Sequence, residues 1–233
     1  MEPYVRDFAD PFEGLQVQLK ELEAFARVVP QIIETHRKEV WNEVMAAPGD
    51  PEVDPLDAFA EAVNEGPGGG FSNFERTVYI AALTLGFEAF TDYLALNLAH
   101  RERGDAFISR ATARDQLEEE ITRLDFPKLI GRFKSVNVYP RELSGWETIE
   151  EIQFTRNAVV HNHGRYNRQY FNVVKQPRYP TSDDMSGWDP TREMPEPEKK
   201  EWLVDREDVP LNFAYISTSL DVLSTFAGLI EAT

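Results

Sequence analysis

The chain has 233 residues, of which 42% are hydrophobic and 28% charged, the usage of an ordinary globular protein with enough length for a full core. It contains no cysteine, which excludes disulfide frameworks, thiolate nucleophiles and the common structural zinc sites. With 24 basic and 41 acidic residues the formal net charge is -17, so the surface repels nucleic acid on average and any RNA has to be met by a local patch.

The first fifteen residues mix acids and prolines without a basic stretch followed by an apolar one, so they do not read as a secretory signal, and a cytoplasmic protein is expected. Residues 12–46 carry Leu15, Leu19, Leu22, Phe25, Ile32, Ile33, Val40 and Val44 at helical spacing, which predicts a first long helix, bent near Pro30. Residues 48–70 hold four prolines and end in Gly-Pro-Gly-Gly-Gly, a loop with one short helix over 56–63. No Lys-Ser or Lys-Thr follows the glycines, so they read as a hinge and not as a phosphate loop.

Residues 71–100 are apolar almost all round, which predicts the central helix of a bundle. Within them the apolar stretch 77–100 approaches the length of a membrane span, but Glu88 and Asp92 lie inside it and would be costly in lipid, so no membrane is expected. Helical spacing puts Ala81, Leu85, Glu88 and Asp92 on one face, turned to the interior, where two acids call for a cation. A third helix over 115–133 starts with four acids and is interrupted at Pro127, and a fourth over 144–162 starts at a cap on Ser144 or a nearby small residue and stops before Gly164. The β-branched and aromatic content of 170–174 and 202–204 predicts two short strands, a hairpin split by the Pro- and Asp-rich insert 177–197. Residues 210–231 return to helical period with Phe213, Ile216, Leu220, Leu223, Phe226, Ala227 and Ile230. The expected architecture is one all-α domain over 1–233: an N-terminal helix at 12–46, core helices at 71–164, a strand and loop insert at 165–209, and a closing helix at 210–231.

Chemistry concentrates at the end of the fourth helix. Arg156 falls on the stripe of Ile149, Ile152, Val159 and Val160, while Phe154 and Ala158 form a second apolar face. Gln153, Arg156, Asn157 and His161 make a polar arc between them, with His161 about 140° round from Arg156, so the two converge on one groove without stacking. From 152 to 182 there is no Asp or Glu, while Arg156, Arg165, Arg168, Lys175 and Arg178 all fall there. One reading makes Arg156 half of an ion pair with Glu88 or Asp92 on the central helix.

A second reading rests on the string Thr155-Arg156-Asn157-Ala158-Val159-Val160-His161-Asn162-His163-Gly164, which resembles the signature of the HEPN superfamily: an arginine, a polar residue, then a histidine. With the late position of this helix, the insert after it and the apolar last helix, the resemblance covers about residues 71–231. It implies a helical bundle that pairs as a homodimer, two copies of the motif facing one cleft, and an endoribonuclease that uses no metal or other cofactor. RNA is then the substrate. An antitoxin protein or activating partner is also implied, in a prokaryotic defence or toxin–antitoxin-type system.

Arg156, Asn157 and His161 are the catalytic candidates, His161 moving protons and Arg156 stabilising the charge on the reacting phosphate. His163, Arg165 and Arg168 are candidates for acid–base work or RNA contact, and Glu88 and Asp92 for ion-pair support. Some toxin members of the family carry a modifiable tyrosine two residues after the histidine, where this chain has His163. The competing function is a catalytically inactive HEPN-like module that docks to a protein partner, which the acidic charge also suits.

Overall fold

A computed structural model describes residues 10–46, 54–64, 71–103, 124–179 and 194–233. In chain order its helices are α1 (Pro11–Ala46), α2 (Pro55–Asn64), α3 (Phe71–Arg103), α4 (Phe126–Arg132), α5 (Trp146–His161), α6 (Arg168–Val173), α7 (Glu196–Leu203) and α8 (Phe213–Glu231), with two short 3-10 turns between α4 and α5. The described part is all-α. The glycine hinge expected at 66–70, the first half of the helix expected over 115–133 and most of the insert expected at 177–197 lie outside the described residues.

Three long helices, α1, α3 and α8, pack against one another and carry the core, with α5 laid against α3 and α8. On α1 the buried side chains Leu15, Leu19, Ala26, Val29 and Ile33 follow helical period, which gives the helix one inward face along most of its length. Gly86 lets α3 approach α8 closely, since a Cβ there would stand 2.3 Å from Leu220 Cδ2. Phe90, Phe126, Trp146 and Phe226, one ring from each of α3, α4, α5 and α8, contact each other in a closed circuit with centroids 6.0 to 6.4 Å apart. Such contacts add about 0.5–1.5 kcal/mol each to the area they bury. By length and composition α8 could cross a membrane. Its Tyr215, Ile216, Leu220, Leu223, Phe226, Ala227 and Ile230 are buried in this core.

Local chemistry sets the helix ends. Asp125, Asn167 and Asn212 each accept a backbone N–H three residues on, which starts α4, α6 and α8. Pro127 therefore sits in the first turn of α4, where a missing N–H costs nothing, and does not interrupt a helix. Of the two caps expected for α5, Ser144 or a nearby small residue, the small residue is the one that this helix uses. Its N-cap is Gly145, with φ 88, and no side chain bonds there.

Two expectations are corrected. Tyr170 to Val174 and Trp202 to Val204 do not form a hairpin: the first lies in α6 and its C-cap, the second at the end of α7. The Asn167 cap and the burial of Tyr166, Tyr170, Phe171 and Val174 at helical spacing outweigh their β-forming composition. Among the described residues, extended pairing is limited to a bridge between Arg165 and Asp208. The face carrying Leu85, Glu88 and Asp92 also does not point inward. All three are exposed, because α1, α5 and α8 occupy the other sides of α3.

Candidate active site on α5

Helix α5 is anchored by Trp146, Ile149, Ile152, Thr155, Ala158 and Val159, all buried. Its helical turn leaves Glu150, Gln153, Arg156 and Asn157 half-buried and His161 exposed. The Arg156 side chain is 20% exposed and curls so that Nη1 reaches 3.4 Å from His161 Nε2 and donates to Asn157 Oδ1 at 3.3 Å. Nη2 donates to Glu88 Oε1 of α3 at 3.2 Å. The Arg156 Nε is buried without a hydrogen-bond partner, an unsatisfied donor of the kind that costs about 1–3 kcal/mol in a protein interior. Arg156 thus lies within hydrogen-bond reach of both Asn157 and His161, although the groove beside Arg156 is lined by Arg156 and Asn157 and not by His161. The ion pair with Glu88 is present, at the rim and not sealed in the core, since Glu88 is 54% exposed.

The turn after α5 is held firmly. Asn162 is its C-cap, and His163 and Gly164 follow with left-handed φ of 54 and 84. The Asn162 side chain donates to the carbonyls of Arg165 and Tyr166 and to Asp205 Oδ1. Arg76 of α3 donates to the carbonyls of Gly164 and Val209, at 2.8 and 3.1 Å. These bonds fix the backbone from which His161 projects.

The other candidates stand apart. His163 is exposed, Arg165 donates to the Asp205 carbonyl, and Arg168 pairs with Glu201 at 3.0 Å. Among the described residues, no hydrogen bond or ion pair joins any of the three to the Arg156 cluster. The acid-free stretch does not stay positive once folded, because acids from elsewhere meet it: Glu88 at Arg156, Glu201 at Arg168, Glu147 at Lys175 and Glu151 at Arg178. Arg178 also lies over the Tyr215 ring, 3.1 Å from its centroid. Tyr166, Tyr170 and Tyr215 beneath this segment have phenol pKa values raised by burial. No family model matches this chain, and no curated protein or solved structure does so either.

A groove of about 650 Å³ runs from Arg156 and Asn157 along α5 to the start of α4. Aromatic side chains of α3, α4 and α5 line it, Trp146 and Phe154 among them. Its charged lining is Glu88, Asp92, Asp125 and Glu150 against Arg141 and Arg156, so the groove is acidic and not the basic crevice that the sequence suggests. Asp92, proposed as ion-pair support, is part of this lining. Glu150 and Trp146 are among the lining residues that were not candidates for the site. The signal for Glu150 was present: with Gln153 and Asn157 it stands at i, i+3 and i+7, one face of a helix.

Proposed function

We propose that the chain is a HEPN-like endoribonuclease that works without a metal, its active centre formed by Arg156, Asn157 and His161 and completed by the same residues of a second copy. The observation that carries this reading is the approach of the Arg156 guanidinium to both Asn157 and His161, within 3.4 Å. A guanidinium beside an imidazole on a held backbone suits a phosphodiester.

In the reaction the RNA 2′-oxygen bonds to the adjacent phosphorus and the bond from phosphorus to the 5′-oxygen breaks. One imidazole takes the 2′-hydroxyl proton and the other protonates the leaving oxygen, so two copies of His161 supply base and acid. Arg156 carries the added negative charge of the pentacoordinate phosphorus, and Asn157 orients it. A cytoplasmic role in prokaryotic defence, or as a toxin restrained by a protein partner, follows from the same resemblance.

The test is cleavage of single-stranded RNA in the presence of EDTA. The expected products are a 2′,3′-cyclic phosphate and a 5′-hydroxyl, with DNA uncut. Arg156→Ala and His161→Ala are each expected to reduce the rate by about a hundredfold or more. Equal cleavage by wild type and both variants removes the site.

A second reading has an observation of its own, the pairing of Arg156, Arg168, Lys175 and Arg178 with carboxylates. It makes the chain an inactive module that docks to a basic protein, and full occupancy of such a complex without RNA cleavage would select it.

A further inference from the structure

The groove beside Arg156 has the wrong charge for an RNA backbone and a suitable lining for a base. Four carboxylates outnumber the two guanidiniums even with Asp125 also paired to Lys128, so phosphates are disfavoured along its length, while Arg156 at its end attracts one. Along α5 the row Glu150, Gln153 and Asn157 faces it, supplying in turn an acceptor, a mixed donor–acceptor and a second amide. Glu150 and Gln153 hold no hydrogen bond or ion pair to any described residue, so their polar atoms are uncommitted. Trp146 and Phe154 of the same helix bring ring surface to the lining.

We infer that the groove is a base subsite, taking the unpaired nucleobase next to a phosphate held at Arg156 and preferring bases with an exocyclic amino group, cytosine, adenine or guanine, over uracil. The inference rests on the proposed function only in placing a phosphate at Arg156. The preference follows from the lining. A carboxylate accepts from an exocyclic amine, whereas uracil carries a carbonyl oxygen at the position of the cytosine amine and has only its ring N3–H left to donate. Aromatic side chains stack on any base and supply affinity without selecting among them. A cationic peptide would answer the carboxylates, but Arg141 and Arg156 would repel it, whereas they do not repel a neutral base and Arg156 attracts its one attached phosphate.

The test is calorimetric titration of the full chain with 3′-CMP, 3′-AMP, 3′-GMP and 3′-UMP, with the Trp146 indole resonance reporting where they bind. The amino-bearing nucleotides are expected to bind about tenfold more tightly than 3′-UMP, the worth of one good base contact. Glu150→Ala and Gln153→Ala each shrink that ratio, whereas Arg156→Ala weakens all four nucleotides alike and leaves it unchanged. Equal binding of 3′-UMP overturns the inference, as does binding that leaves Trp146 unmoved. Capture of an oligolysine peptide in a Glu150-dependent way, with no nucleotide bound, overturns it in favour of a protein ligand. An intact base preference in a chain that cleaves no RNA supports the subsite and counts against the nuclease reading alone.

Discussion

Arg76 on α3 reaches the carbonyl of Gly164, just beyond α5, at 2.8 Å, so the turn that follows His161 is tied to the central helix by a guanidinium. Gly164 has φ 84, and a Cβ there would stand 2.4 Å from Arg76 Nη2. Gly164→Ala is expected to cost about 1–3 kcal/mol, from left-handed backbone strain and the displaced arginine. Thermal unfolding measures the loss. Arg76→Ala, which leaves the glycine in place, separates the lost hydrogen bonds from the strain.

The Glu88 carboxylate competes with any phosphate for Arg156. Because Glu88 is 54% exposed, Glu88→Gln is expected to change stability by less than about 1 kcal/mol. It should tighten binding of inorganic phosphate or 3′-CMP by about threefold to tenfold at low salt, an effect that fades as ionic strength rises. Titration calorimetry at two salt concentrations reads both. Weaker binding in the variant would show that Glu88 serves to orient Arg156 and not to mask it.

Close packing of α3 on α8 depends on the missing side chain at Gly86. Gly86→Ala would drive a methyl group against Leu220, which is 1% exposed, and should destabilise the bundle by about 1–3 kcal/mol. In the double variant Gly86→Ala with Leu220→Ala the two losses should sum to less than their separate values, since the second opens room for the first. Denaturant titration of the four proteins measures the coupling.

Alkaline pH should unfold the protein through its tyrosines. Six of the eight, Tyr79, Tyr93, Tyr166, Tyr170, Tyr179 and Tyr215, have phenol pKa values raised, chiefly by burial. Above about pH 10 the unfolded chain releases these protons while the folded chain keeps them, so stability falls as pH rises and is undiminished below that range. Each pH unit costs at most about 1.4 kcal/mol for each deeply buried tyrosine held neutral, and less for the partly exposed Tyr179. Absorbance at the phenolate band should therefore rise in one cooperative step with loss of helix, and a gradual rise in the folded protein would contradict the burial of these rings.

The positions of the long helices follow from hydrophobic period alone, because a chain that must bury apolar side chains every three to four residues has few other solutions. The expected helix at 12–46 appears as Pro11–Ala46, and the one at 210–231 as Phe213–Glu231. Arg156, Asn157 and His161 stand out through the resemblance of their string to the HEPN signature, and their spacing on one helix limits how far apart their side chains can lie.

Short segments were not legible in this way. Residues 170–174 and 202–204 have strand-like composition, and their helical state depends on a cap at Asn167 and on rings they meet only after folding. Nor could the sequence assign the electrostatics of the site. A run of 31 residues without an acid looks basic in one dimension. Folding brings Glu88, Glu147, Glu151 and Glu201 to its cations, because Coulomb attraction acts through space and takes no account of separation along the chain.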